Sequence, residues 1–392
     1  MKKILFIEDD QVVATIYRNK FSLEGFRVEV ASDGETGAQM VESFQPDVIV
    51  LDLMLPKLPG IEVVKRIRSL PKFAHTPILV FSNTYLTNLV MEARKAGATK
   101  CLSKSSCTPR HLLEAVRASL EAPESRPAAQ DLAEETPKAP PESATPSDEA
   151  FQDDLRQEFV AGLPATLIGL REGLKKLAKA ENDTARIPHF QGLYQLVHPL
   201  TGNAALAGLT HIAQMAAAFE VLLKELSEKP KNLNTSSMRT VTSAVDFLGF
   251  LFQNGVRRDK QVLPPPRILV VDDEAISRRA VVFALEKARL KCESCESPLA
   301  ALELLEAGQF DLVFLDVDMP GMNGFELCTK LRAQPQHKKT PVVFVTSLND
   351  LENRANSMMS GGNDFIGKPF PFIELAVKAV MHIQRGRLTP AN

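Results

Sequence analysis

The sequence predicts a doubly wound parallel α/β domain at each end of the chain, with an all-α helical bundle between them. Three observations predict this. Both ends alternate short apolar runs with amphipathic stretches. The two ends repeat each other at a constant spacing. The middle shows no strand-like alternation and reads as helix throughout.

At the N-terminal end the apolar runs are Ile4–Ile7, Val28–Ala31, Val48–Leu51, Ile78–Phe81 and Lys100–Ser103. Continuous rather than alternating hydrophobicity marks strands covered on both faces. Helical patterns such as Val12–Leu23 and Gly60–Ser69 fill the gaps, and a βαβα order implies a parallel sheet with helices on both sides. Adding 264 to a position in this region finds its counterpart near the C-terminus. Asp9 maps to Asp273, Asp47 to Asp311, Asp52 to Asp316, Pro56 to Pro320, Gly60 to Gly324, Pro77 to Pro341, Gly97 to Gly361 and Lys104 to Lys368. One offset for all of them means an internal duplication without insertion or deletion between these landmarks.

Residues 121–149 contain six prolines, six alanines and eight acids against two bases, with no Val, Ile or aromatic residue. Such a segment cannot bury enough apolar surface to offset its ordering entropy and is expected to be a disordered linker. The expected order is therefore an α/β domain over 1–120, the linker over 121–149, a helical bundle over 150–258, a short linker over 259–266 and a second α/β domain over 267–388. Within the bundle, helices are expected at Phe151–Leu163, Pro164–Ala180, Ile187–Ala207, Leu209–Glu228 and Thr235–Gly255, with Pro164 as a first helical residue and Thr235 as an N-cap.

A net charge of −2 argues against a general nucleic-acid binder. No run of about 18 apolar residues occurs, so no membrane span is expected. The apolar part of the N-terminus, Ile4–Ile7, is too short for a signal peptide and reads as a first strand. Five cysteines at irregular spacing fit reduced thiols in the cytoplasm. Cys292 and Cys295 resemble a CxxC pair, but they fall on an expected strand. Residues three apart on a strand point to opposite faces, so a shared metal or disulfide is not expected.

In an open parallel sheet, ligands bind beyond the carboxyl ends of the strands. Glu8 and Asp9 end the first strand, Asp52 the third and Ser82 the fourth, and Lys104 follows the fifth. Clustered carboxylates suit a hard divalent cation, Mg²⁺. Such an ion would let Asp52 attack a phosphoryl group despite charge repulsion. Lys104 and Ser82 could each bind a phosphoryl oxygen. The second copy offers Asp272, Asp273, Asp316, Thr346 and Lys368 for the same roles.

The segments ILFIEDD, VLDLMLPKLPG, ILVFSN and CLSKS of the first copy, and ILVVDDE, FLDVDMPGMNG, VVFVTS and FIGKP of the second, resemble the bacterial response-regulator receiver family. The resemblance covers roughly 1–120 and 267–388. It implies a five-stranded flavodoxin-like fold, Mg²⁺ held by Glu8, Asp9 and Asp52 or by Asp272, Asp273 and Asp316, and phosphorylation of Asp52 and Asp316 from a phosphohistidine donor. It also implies a switch that couples the Ser/Thr hydroxyl to an aromatic residue three positions before the lysine. The second copy has Phe365 and Pro369 at the switch positions, whereas the first has Cys101 and Ser105.

The middle segment LVHPLTGNAALAGL resembles histidine phosphotransfer domains through His198, Leu200 and Gly202. Imidazole is a good nucleophile near neutral pH, and Gly202 lies one turn along the same face. Thr201 replaces the lysine of the resembled motif, and Pro199 is expected to kink the helix. These resemblances imply a two-component phosphorelay protein without an ATP-binding kinase module. Its partners would be a sensor histidine kinase, phosphotransfer proteins or both, with a downstream output protein. Other readings are a phosphorylation-controlled adaptor and a phosphate sink.

Overall fold

Val48–Leu51 and Leu312–Asp316 are buried along their whole length, as strands covered on both faces must be. In the computed structural model each becomes the middle strand of a five-stranded parallel sheet. The structure describes residues 1–82, 87–104, 107, 109–121, 146–256, 264–346 and 360–388. The first sheet comprises β1 (Lys3–Ile7), β2 (Arg27–Ala31), β3 (Val48–Leu51), β4 (Ile78–Ser82) and β5 (Lys100–Ser103), in the order β2-β1-β3-β4-β5. Its helices are α1 (Gln11–Leu23), α2 (Gly34–Phe44), α3 (Gly60–Ser69), α4 (Thr87–Lys95) and α5 (Pro109–Glu121). The expected strands and helices are present to within a residue at each end.

The pleat separates two cores. Ile4, Phe6, Val48, Val50, Leu79 and Phe81 pack on one face of this sheet. Leu5, Ile7, Ile49, Leu51 and Ile78 pack on the other. Asp10 starts α1 by accepting from the amides of Val12 and Val13, and Asp33 starts α2 by accepting from Thr36 N.

Along the chain, α6 (Pro146–Lys179), α7 (Asp183–Leu206), α8 (Thr210–Glu228) and α9 (Thr235–Asn254) follow the first sheet and precede the second. Two expected helix starts fail here. Pro164 does not begin a helix but lies inside the single helix α6. Mid-helix proline costs about 3 kcal/mol. Leu163 beside it and Leu170 and Leu177 beyond it, buried at seven-residue spacing, contribute about 1.5–3 kcal/mol each and offset that cost. The N-cap of α9 is Asn234 rather than Thr235. Its side chain accepts from Ser237 N at 2.8 Å while Ser237 Oγ accepts from Asn234 N at 3.0 Å, a reciprocal capping box. Helix α7 continues through Pro199 to Leu206. Of the expected linkers, 122–145 and 259–263 lie outside the described residues, and 146–149, expected to be disordered, form the first turn of α6.

The second sheet comprises β6 (Ile268–Val271), β7 (Cys292–Cys295), β8 (Leu312–Asp316), β9 (Val342–Thr346) and β10 (Asp364–Gly367), in the order β7-β6-β8-β9-β10. With α10 (Ala275–Lys287), α11 (Pro298–Ala307), α12 (Gly324–Ala333) and α13 (Phe372–Leu388), it repeats the topology of the first. The duplication extends to a structural arginine. Arg68 donates to the carbonyls of Gly97 (2.9 Å), Phe73 (3.1 Å) and Thr76 (2.8 Å). Arg332 donates to Gly361 (2.9 Å), His337 (2.9 Å) and Thr340 (2.7 Å), each 264 residues on. The positive φ of Gly97 and Gly361, 107° and 85°, turns the chain at this staple. Cys292 and Cys295 lie on β7, and all five cysteines are free.

The chain divides into two compact units. One joins Met1–Gly162 with His198–Ala213, and the other joins Leu163–Val197 with Gln214–Asn392. Helices α6 and α7 thus contribute to both units. Among the described residues no helix is long and apolar enough to cross a membrane.

Candidate functional site

Parallel pairing brings the carboxyl ends of β1, β3 and β4 together, and the chain places an acid or a hydroxyl at each. In the first unit Asp52 follows β3, is 2% exposed, and accepts from Met54 N at 3.2 Å. Lys104, just after β5, is buried and donates to Asp52 Oδ2 at 2.6 Å and to Glu8 Oε1 at 2.7 Å. Burial pushes the Asp52 carboxyl up, but Lys104 outweighs it and the carboxyl lies below its ordinary value. Burial dominates at Glu8, which is pushed up to about 8 although Lys104 opposes it. Lys104 is held above the ordinary lysine value because Asp52 and Glu8 outweigh its desolvation.

Glu8, expected among the metal ligands, turns one oxygen to Lys104, and its buried Oε2 accepts no hydrogen bond among the described residues. Asp9 is half-buried. One ligand atom from each of Asp9, Asp52 and His198 lies within 4.8 Å of the others. His198 Nε2 is 3.6 Å from Asp9 Oδ1. Ser82 is buried at the end of β4, and Cys101 is half-buried on β5. Ser105 lies outside the described residues.

The helix that carries His198 packs against α1 of the same unit. Leu206 joins Val13, Ile16 and Tyr17 in one buried cluster. At Gly202 a Cβ would stand 2.8 Å from Val13 Cγ2, so only glycine lets α7 come this close. Thr201 is 2% exposed at the position where the resembled motif has lysine.

The second unit repeats the acids in a more open setting. One ligand atom from each of Asp272, Asp273 and Asp316 lies within 4.8 Å of the others. Lys368 Nζ donates to Asp272 Oδ2 at 2.9 Å and to Asp316 Oδ1 at 3.0 Å. Burial raises the Asp316 carboxyl against the opposing pull of Lys368. Asp272 also accepts from Glu274 N at 3.0 Å and from Ser277 Oγ, while Arg278 Nη1 donates to its carbonyl at 2.6 Å. Thr346 is buried at the end of β9, Phe365 is 9% exposed on β10, and the Lys368–Pro369 peptide is cis.

Ser277 and Arg278 were not singled out from the sequence. The offset of 264 could have found them, because their counterparts are Val13 and Ala14. The first copy is apolar where the second supports its acid. Those apolar residues are where α7 packs.

Residues 4–117 and 268–380, more than half of the chain, match the model of the response regulator receiver domain. The chain is 32% identical over 130 residues to Protein RcaC of Microchaete diplosiphon, covering 33% of this chain and 20% of that protein. It is 32% identical over 123 residues to the transcriptional regulatory protein ResD of Bacillus subtilis, covering 31% of this chain and 50% of that one. The chain thus spans half or less of the length of these relatives. Among solved structures, the chemotaxis response regulator CheY4 of Vibrio cholerae is 29% identical, with 31% of this chain and 99% of that chain covered and a TM-score of 0.29.

Proposed function

Because this chain belongs to the response regulator receiver family, whose members work in two-component signalling, we propose that it is a phosphorelay protein that accepts phosphoryl groups on Asp52 and Asp316 and exchanges them through His198. The observation that carries this reading is the convergence of His198 with Asp9 and Asp52, their ligand atoms within 4.8 Å of one another. In-line transfer needs about 3–3.5 Å of near-attack distance plus one phosphorus–nitrogen bond, so the two side chains lie within the reach of a single phosphoryl group.

The transfer balances without a further reactant. An Asp52 carboxylate oxygen bonds to phosphorus as the Nε2–phosphorus bond of phosphohistidine breaks. The imidazole leaves neutral, keeping its proton on Nδ1. The reverse step reloads the histidine. Lys104 holds the attacking carboxylate ionised and then faces the transferred oxygens. Ser82, buried at the strand end, supplies a hydroxyl to them. In the second unit Asp316, Lys368 and Thr346 take these roles.

The donor set supports Mg²⁺ as cofactor. The acids Asp9 and Asp52, and Asp272, Asp273 and Asp316, are hard oxygen donors, and the orphaned Glu8 Oε2 is a buried acceptor beside them. Bound there, the cation would supply charge neutralisation on the transferring group. Partners under this reading are a sensor histidine kinase or phosphotransfer protein upstream and an output protein downstream. The net charge of −2 supports output through protein rather than nucleic acid. A cytoplasmic location fits the free cysteines.

Incubation with a phosphodonor and mass spectrometry should place label on Asp52, Asp316 and His198. His198→Gln should abolish exchange between the bundle and Asp52 while leaving direct labelling of Asp52 intact. Unchanged exchange in that variant refutes the relay and leaves the adaptor reading.

A further inference from the structure

Strand β10 is an edge strand, so it has a neighbouring strand on one side only. Helix α9 meets it on the other side within the same unit. Arg239 Nη2 donates to the Phe365 carbonyl at 2.9 Å and to Asp364 Oδ1 at 3.2 Å. Its guanidinium carbon lies 3.4 Å from the centroid of the Phe365 ring. Ser236 and Thr240, on the same face of α9, donate to Glu374 Oε1 of α13 at 2.6 and 3.0 Å. Glu374 and Lys378 are fully buried, and Lys378 Nζ donates to Asp364 Oδ2 at 2.6 Å.

The strand is therefore gripped at both ends. Arg239 holds its first two residues by backbone, carboxylate and ring together. Lys368, the residue after its last, is tied to Asp272 and Asp316 and bonds through its amide to Thr346 O at 2.8 Å. Four residues of extended chain, about 3.3 Å each, have little slack between the two anchors.

We infer that Arg239 is a positioning residue for phosphorylation of Asp316, acting through Phe365 and β10 on the lysine that faces the phosphoacceptor. The inference rests on the proposed role of Asp316. A phosphoryl group on Asp316 draws the Lys368 ammonium from the carboxylates to the new oxygens, and the strand passes that displacement to Arg239. Coupling of this kind is reciprocal: what α9 does for Asp316 loading, loading does for the docking of α9. The first copy has Cys101 in place of the ring, so the device belongs to the second receiver alone.

The test uses the full chain carrying Asp52→Asn, so that label from acetyl phosphate and Mg²⁺ reports Asp316. Arg239→Ala should slow labelling roughly fivefold or more. Arg239→Lys should behave like alanine, because it keeps the charge but loses the fork and the stacking plane. Ser236→Ala, which removes one hydroxyl bond to Glu374 while Thr240 and Arg239 keep α9 docked, should leave the rate unchanged. In the Arg239 protein, loading with beryllofluoride should change hydrogen exchange across Thr235–Thr242, and Arg239→Ala should erase that response. An unchanged rate in Arg239→Ala, full rescue by lysine, an equal loss in Ser236→Ala, or α9 exchange indifferent to loading each overturns the inference. Absence of label in the Arg239 protein overturns the phosphoacceptor reading itself, and the inference with it.

Discussion

Replacing Lys104 by methionine removes the one cation buried between Glu8 and Asp52. The three side chains are 6%, 1% and 2% exposed, with contacts of 2.7 and 2.6 Å. At an effective dielectric constant of 20 the contact between Lys104 and the ionised Asp52 is worth roughly 6 kcal/mol of Coulomb energy, yet the net loss is smaller. Glu8 is raised to about 8 even beside the lysine, so it is mostly neutral at pH 7 with Lys104 and more fully so without it. Only Asp52 remains as an unpaired buried charge, which costs about 3–5 kcal/mol. Lys368→Met removes the same chemistry from a more open site, with Lys368 20% exposed. There Asp272 keeps Ser277 Oγ and Glu274 N as donors, so the loss should be about 1–2 kcal/mol. The difference of about 2 kcal/mol is roughly 30-fold in local opening. Native-state hydrogen exchange in metal-free buffer, comparing β1 and β3 with β6 and β8, reads both variants in the intact chain. Adding Asp52→Asn to Lys104→Met should restore most of the lost protection. The electrostatic reasoning is refuted if β1 and β3 lose no more protection in Lys104→Met than β6 and β8 lose in Lys368→Met.

Gly202→Val should slow exchange between His198 and Asp52 at least tenfold while sparing direct labelling of Asp52, because a Cβ there meets Val13 at 2.8 Å; quench-flow labelling checks it. Gly60→Ala and Gly324→Ala put a Cβ 2.3 and 2.2 Å from the carbonyls of Asp52 and Asp316, and each should destabilise its sheet by about 1–3 kcal/mol or more in hydrogen exchange. Arg68→Met and Arg332→Met each remove a donor from three carbonyls, of which Phe73 O and His337 O keep the amides of Thr76 and Thr340, and should cost about 2–3 kcal/mol in the same measurement. Burial raises Glu374 above its ordinary 4.5, so the folded state holds that proton more tightly. Its contribution is fully present below pH 4.5 and is lost as pH rises through the raised value. Burial pushes Asp364 up, but Lys378 and His382 outweigh it and hold that carboxyl well below the usual range, beneath this window. Protection of α9, corrected for intrinsic exchange, should therefore fall above pH 4.5, and Glu374→Gln should flatten the profile.

The two sheets and their acidic pockets were legible because each strand carries its own signal. Four buried apolar residues followed by Asp52 or Asp316 say where the strand ends and what stands there. The 264-residue repeat then confirmed the order without any contact being known. The division of α6 was misread because Pro164 is a local signal, whereas the burial of Leu163, Leu170 and Leu177 that offsets its cost is set by tertiary packing. The reorientation of Glu8 depends on Lys104, 96 residues away, and the hold of Arg239 on Phe365 on a residue 126 away. No periodicity records such pairs. The contrast between Val13 and Ser277 was present in the repeat, but its meaning needed the packing of α7 against α1.

Helix α13 is buried without a break from Ile373 to Gln384, whereas α5, its counterpart, leaves a solvent face at residues such as Arg110, Glu114 and Arg117. One ancestral helix has thus become a surface element in one copy and an inner element in the other. A protein trimmed to Arg267–Leu388 would bare the face of α13 that α9 covers, and leave Glu374 without the hydroxyls of Ser236 and Thr240. Such a fragment should associate with itself or precipitate. The support of the second receiver thus reaches upstream of its first strand, to Ser236, Arg239 and Thr240 of α9.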